Sequence, residues 1–238
     1  MDAAETAKLR SRLDQGLVGM APMIRGRLDD AACDKLLAYL TILGRWNRAF
    51  NLTAVRDPRE MVPRHLLDSL SVLPWITGTP VLDVGTGAGL PGIPLAIALP
   101  ELRFTLLDSN GKKTRFVRQA VFELGLANVD VVQSRLETYQ PVAKFATIVA
   151  RAVAAITTLH AASDHLAATG ARLLALKGRL PADEIGALRS AMAKTAAHKP
   201  CAAYGDGSVR IRVHPLQVPL LDGERNLIEI SFQTGVHG

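Results

Sequence analysis

The chain has 238 residues, 48% of them hydrophobic and 21% charged, with a formal net charge of +6. That length buries a sizeable core in one large domain, or in one domain with an added subdomain. Average glycine and proline usage excludes collagen-like and low-complexity chains, and the apolar content excludes disorder.

The charge is even, with +2 in each third of the chain. It is a mild pointer to an anionic partner and makes no basic tail. Two cysteines, Cys33 and Cys201, cannot build a disulfide framework. The first residues have neither a cationic start nor an apolar core, so no signal peptide is expected. The apolar run from Leu90 to Pro100 is too short for a membrane span. A soluble cytoplasmic protein is the expectation. The six histidines show no ligand spacing, so no metal site is expected.

Residues 1–78 read as a helical N-terminal region, and 79–238 as one compact domain. Leu36, Leu37, Leu40 and Leu43 recur at helical spacing between Asp34 and Phe50. Met61, Leu66, Leu67, Leu70 and Leu73 repeat the pattern between Arg59 and Ile76, with Pro63 near the start where it costs least. At residue 79 the period changes. Pro80–Val84 is a short apolar strand ending in a glycine turn, followed by a helix from Ile93 to Leu99. Strands are expected at Arg103–Asp108, Val129–Gln133, Phe145–Val149 and Ala171–Leu176. Helices are expected at Lys112–Leu124, Ala154–Ala168 and Pro181–Ala197. Two last strands, Ser208–His214 and Asn226–Phe232, read as antiparallel. This alternation predicts an α/β fold: a doubly wound, Rossmann-like, mostly parallel sheet with an antiparallel C-terminal strand.

The stretch Asp83-Val84-Gly85-Thr86-Gly87-Ala88-Gly89-Leu90-Pro91-Gly92 carries the chemistry. Small residues such as Gly85 and Gly87 let the backbone turn sharply and let a ligand approach it. The match to GxGxxG is weak alone. Asp83 lies inside an apolar strand, where a carboxylate needs a partner. The cationic aminoacyl end of S-adenosylmethionine would serve, whereas a pyrophosphate would be repelled. Asp108 ends the next strand, where an acid bonds ribose hydroxyls in nicotinamide and adenosylmethionine folds alike. Two basic clusters follow the same logic for an anionic partner. One is Lys112, Lys113, Arg115 and Arg118; the other includes Arg45, Arg48, Arg56 and Arg64. Their plainer reading is a solvated helix face. His65 and Asp68, three apart, could suggest acid–base work but read most simply as a helix-surface pair or a cap contact.

Several motifs together resemble one family. They are Asn51-Leu52-Thr53, Arg64-His65-Leu66-Leu67-Asp68-Ser69, the glycine stretch, Leu107-Asp108-Ser109 and Lys113-Thr114-Arg115-Phe116. Ser134-Arg135-Leu136-Glu137, Ala150-Arg151-Ala152, Leu176-Lys177-Gly178 and Asp222-Gly223-Glu224-Arg225 complete the set. The family is the bacterial 16S ribosomal RNA (guanine-527 N7) methyltransferases, also called glucose-inhibited division protein B. The resemblance implies S-adenosyl-L-methionine as methyl donor and small-subunit ribosomal RNA or the 30S particle as partner. It implies cofactor contacts at Gly85, Leu90, Leu136 and Glu137, and a cofactor- and site-lining role for Arg151. Asp108 matches the ribose position. Ala88 stands where many relatives have proline, and residues 198–212 carry no familiar motif.

The end of the fourth strand supports this independently. Ala150-Arg151-Ala152 lacks the acceptor that methylation of an exocyclic amine uses, and Cys201 comes too late to be a ring-carbon nucleophile. Guanine N7 needs neither; the candidate catalytic residue is Arg151, expected at the carboxyl end of the fourth strand, where its guanidinium could pair with the cofactor carboxylate or donate to guanine O6 and so turn N7 toward the methyl. With aromatics at 5%, phosphate contacts are expected to carry RNA affinity better than base stacking. A monomer is expected. A nicotinamide-dependent oxidoreductase and a non-catalytic RNA-binding module stand as alternatives.

Overall fold

The computed structural model describes residues 3–152, 154–198 and 210–232. Seven strands form one sheet in the order β3-β2-β1-β4-β5-β7-β6. They are β1 (Val81–Val84), β2 (Phe104–Asp108), β3 (Val129–Gln133), β4 (Phe145–Arg151), β5 (Ala167–Lys177), β6 (Ile211–Pro215) and β7 (Asn226–Ser231). The first five are parallel. Strand β7 runs antiparallel between β5 and β6. The sheet therefore has the mostly parallel, doubly wound form that the alternating pattern predicts.

The helices before the sheet are α1 (Ala3–Val18), α2 (Pro22–Arg25), α3 (Asp30–Phe50), α4 (Pro58–Met61) and α5 (Asp68–Leu70). Those within it are α6 (Gly92–Ala98), α7 (Gly111–Leu124), α8 (Ile156–Ser163) and α9 (Ala182–His198). Side-chain alternation along the strands divides the interior between the two faces. Val81, Leu106, Val149 and Leu174 join α1, α3, α6 and α7 in one apolar core. Leu82, Val84, Ile148, Ala150 and Leu173 join α8 and α9 in the other. The N-terminal helices thus share one uninterrupted core with a face of the sheet.

Two expectations are corrected. The helix expected from Arg59 to Ile76 is broken into α4, a π-helical turn (Val62–Leu67), α5 and a 3₁₀ turn (Leu73–Trp75). Pro63 has no N–H and its ring would strike the carbonyl of Arg59. That carbonyl instead accepts from Arg12 Nε at 2.9 Å. The helix expected to run to Ala168 stops at Ser163. A 3₁₀ turn follows, and β5 begins at Ala167, which pairs with Phe145. The alanines there are good helix formers, but sheet pairing overrides propensity.

Candidate cofactor and active site

Strand β1 leads into the glycine loop, and its carboxylate organises that loop from below. Asp83 is fully buried. Its Oδ2 accepts from Thr86 Oγ1 at 2.6 Å and from the Gly92 N–H at 2.9 Å. Burial pushes its pKa up to about 7, against the pull of those two hydrogen bonds. Gly92 has to be glycine at this approach. A Cβ there would lie 2.1 Å from Leu106 Cδ2 and 2.6 Å from Asp83 Oδ2. Asp83 therefore braces the turn from the interior, and the structure does not place it on the cleft surface where an ammonium group could reach it. Its Oδ1 has no hydrogen-bond partner among the described residues.

Above the loop lies a cleft of about 390 Å³. It is lined by Gly85, Asp108, Leu136 and Glu137, which the sequence singles out from three separate strand ends. Ser109, Ser134, Arg135 and the α8 residues Thr158, Leu159 and Ala162 also contribute to the wall. The α8 face carries only ordinary helical spacing, so no sequence signal marked it. Asp108 is 8% exposed. One of its oxygens accepts from the Gly87 N–H at 2.9 Å and the other from the Asn110 N–H at 2.8 Å. Gly87 has φ +60, a left-handed turn that presents its N–H to Asp108. Leu90 is packed into the core at 4% exposure, away from the cleft lining. The N-terminal region fixes the same loop from its other side: the buried Tyr39 hydroxyl donates to the Ala88 carbonyl at 2.7 Å.

Arg151 ends β4 one residue beyond the partner of Val84. It lies outside the cleft lining, on the sheet face that α4 and α5 cover. Its Nη1 donates to the Arg64 carbonyl and to Asp68 Oδ2, both at 3.0 Å. Ala152, next in the chain, turns away at φ +53, a conformation that concentrates at functional sites. Asp68 and His65 correct the expectation of a surface pair. They are 6% and 5% exposed, enclosed beneath the strand ends. His65 Nε2 lies 3.0 Å from Thr53 Oγ1, and burial with the nearby Arg151 charge lowers its pKa to about 4. Asp68 is the functional candidate that sequence reasoning missed. Its signal lies in the Arg64–Ser69 motif, where helical spacing alone points to a helix exterior.

All the basic candidates but Lys113 lie apart from the cleft. Lys112, Arg115 and Arg118, with Asn110, Gly111, Gln119 and Gln133, line an open concavity of about 760 Å³ on α7 and the β3 edge. Lys113 points back, its Nζ 4.0 Å from Asp108 Oδ2. Arg45 pairs with Glu123 of α7, Arg64 with Glu60, and Arg56 donates to Asn51. Arg48 is exposed. Cys33 is buried on α3, while Cys201 and the strand start at Ser208 lie outside the described residues. Among the described residues no His/Cys/Asp/Glu group could hold a metal, and no helix is long and apolar enough to cross a membrane.

Comparison with known proteins agrees with this geometry. A family model described as rRNA small subunit methyltransferase G matches residues 32–205. A protein of that name from Marinobacter nauticus is 50% identical over 86% of this chain and 88% of its own length. Another from Xanthomonas euvesicatoria is 44% identical over 96% of this chain and 98% of its own. Among solved structures, the magnesium protoporphyrin IX methyltransferase of Synechocystis aligns with a TM-score of 0.53 at 19% identity. That alignment covers 86% of this chain and 97% of that one. An O-methyltransferase from Streptomyces achromogenes aligns with a TM-score of 0.52 at 16% identity, covering 87% and 91%. Those two likenesses concern the fold alone.

Proposed function

From the premise that the chain belongs to the rRNA small subunit methyltransferase G family, we propose that it methylates N7 of guanine 527 in 16S ribosomal RNA, with S-adenosyl-L-methionine as donor. The observation that carries this reading is the convergence of Gly85, Asp108, Leu136 and Glu137 on one cleft at the carboxyl ends of the parallel strands. Ligands of open α/β sheets bind there. The residues fit a nucleoside with an amino-acid tail. Asp108 offers carboxylate lone pairs at the end of β2, Leu136 offers an apolar edge, and Gly85 leaves the backbone open. Bound there, the cofactor supplies an electrophilic methyl on sulfur.

Arg151 fits the chemistry of a ring nitrogen. Guanine N7 carries an in-plane lone pair, and no proton has to leave. The protein's task is positioning, which can supply much of the rate. A guanidinium has donors only and cannot act as a base at neutral pH. Arg151, outside the cofactor cleft, would therefore hold guanine O6, leaving N7 free. Phosphate contacts from Lys112, Arg115 and Arg118 would supply RNA affinity along the α7 concavity. Asp83 and Gly87 would serve the cofactor indirectly, by shaping the loop. The reading takes the substrate as small-subunit rRNA, free or within the 30S particle, and the enzyme as a cytoplasmic monomer. Mass mapping of rRNA modifications with and without the protein tests it: a methyl on guanine 527 that follows the protein supports it, and an unchanged map refutes it.

A further inference from the structure

Three elements distant in sequence meet at one carboxylate. Asp68 enters as the first residue of α5, directly after the π-helical segment, Arg151 from the end of β4, and Arg225 from the residue before β7. Because β7 is antiparallel, its beginning lies at the same sheet edge as the end of β4. Asp68 Oδ2 takes Arg151 Nη1 at 3.0 Å, and Asp68 Oδ1 takes Arg225 Nε at 3.1 Å. Arg225 Nη1 donates to the Glu224 carbonyl at 2.7 Å, and Arg151 has its second contact at the Arg64 carbonyl. The side chain of Asp68 is 9% exposed, those of Arg151 and Arg225 20% and 27%.

One carboxylate cannot neutralise two guanidiniums, so the cluster keeps one net positive charge. The neighbouring imidazole of His65 adds none, since burial keeps it neutral. A pair of surface arginines would lose much side-chain freedom on gripping a ligand. These two are already fixed from beneath, and their side chains stay partly exposed at the strand ends. A planar fork suits a phosphate or a purine carbonyl oxygen. The π-helical turn that supplies the Arg64 carbonyl is the kind of irregularity that gathers at functional sites.

We propose that Asp68 is a positioning residue for methyl transfer: it ties Arg151 and Arg225 into a two-guanidinium clamp that holds the target nucleotide of the RNA, with Arg225 as a second substrate-binding cation. This rests on the rRNA methyltransferase reading and extends it to residues outside the cofactor cleft. A misplacement of about 1 Å can cost about 10²-fold in rate, so Asp68→Asn should lower kcat by about that factor. Its affinity for S-adenosylmethionine, measured by calorimetry, should stay within about twofold of the wild type, because no clamp residue lines the cofactor cleft.

The discriminating measurement is a mutant cycle on kcat with 30S subunits as substrate. If Asp68 acts through the two arginines, adding Asp68→Asn to a protein that already carries Arg151→Ala and Arg225→Gln costs little more than that pair alone. A purely structural Asp68 would instead lower the melting temperature, weaken cofactor binding in parallel and multiply the two losses; that outcome overturns the proposal. So does an Asp68→Asn protein with wild-type kcat and KM. If Asp68→Asn fails to melt cooperatively, Arg225→Gln takes its place. It should raise KM for the RNA about tenfold and reduce the salt dependence of binding, and unchanged values overturn the proposal. A wild-type protein that transfers no methyl to any rRNA sinks the underlying functional reading, and this proposal with it.

Discussion

Replacing Asp83 by Asn tests whether the loop is braced by a buried, protonatable acid. The amide oxygen can take over both acceptor contacts, from Thr86 Oγ1 and the Gly92 N–H. What disappears is the titration. Burial raises the pKa of Asp83 from 3.8 to about 7. Between those values the folded protein holds a proton that the unfolded chain has released. Stability from this group is therefore fully present below pH 3.8, falls as pH rises and levels off above about 7. A rise from 3.8 to about 7, at ~1.36 kcal/mol per pH unit, amounts to about 4 kcal/mol. His65 titrates with the opposite sign. Its folded pKa of about 4 lies below the usual 6.5, so its contribution is lost as pH falls through that window. It is common to both proteins and cancels in their difference. Denaturant unfolding of wild type and Asp83→Asn from pH 4 to pH 8 measures that difference directly. The variant should gain on the wild type as pH rises, by up to about 4 kcal/mol in total. A difference that stays flat across this range would refute the buried-acid argument.

Tyr39→Phe removes the only side-chain donor to the Ala88 carbonyl among the described residues. It should cost about 1–3 kcal/mol in a urea melt, as an unsatisfied buried carbonyl does, and weaken cofactor binding by loosening the loop. Asp108→Ala should lose about 2–4 kcal/mol of cofactor affinity in calorimetry if its carboxylate holds two ribose hydroxyls. It should also lower the melting temperature, since the Gly87 and Asn110 amides lose their acceptor. Neutralising Lys112, Arg115 and Arg118 together should flatten the salt dependence of RNA binding by about one log–log unit per lost phosphate contact. An unchanged slope in a filter-binding titration would make that surface a solvated helix face.

Much of the sheet was legible because its signals are local. Apolar runs bounded by glycine and proline placed β1 to β3 within a residue of their observed starts and ends. Gly85 and Asp108 could be read from the strand-end pattern, while Leu136 and Glu137 came from the family resemblance, and a parallel sheet gathers such strand ends on one edge. Three features were hidden for physical reasons. Pro63 signals trouble for a helix, but whether the chain kinks or forms a π-helical turn depends on what receives the freed carbonyl, here Arg12. Ala167 and Ala168 are good helix formers, yet Ala167 opens β5 and pairs with Phe145 of β4. Asp68 on a helical wheel cannot be told from a surface acid, because its partners lie 83 and 157 residues away. Asp83 was legible as a buried carboxylate, while its role depended on which groups the fold turned toward it.

The central claim is methyl transfer to guanine N7, and the product's own chemistry tests it most directly. An N7-methylated guanine carries a fixed positive charge on its imidazole ring, which becomes labile after borohydride reduction, so aniline then cuts the RNA chain there. The measurement is incubation of the protein with unmodified 30S subunits and S-adenosylmethionine, then borohydride and aniline treatment of the 16S rRNA, then primer extension. The account predicts a new stop at guanine 527 that requires both protein and donor. Methyl incorporation into the rRNA without any aniline-sensitive guanine would contradict it and point to exocyclic or ribose methylation.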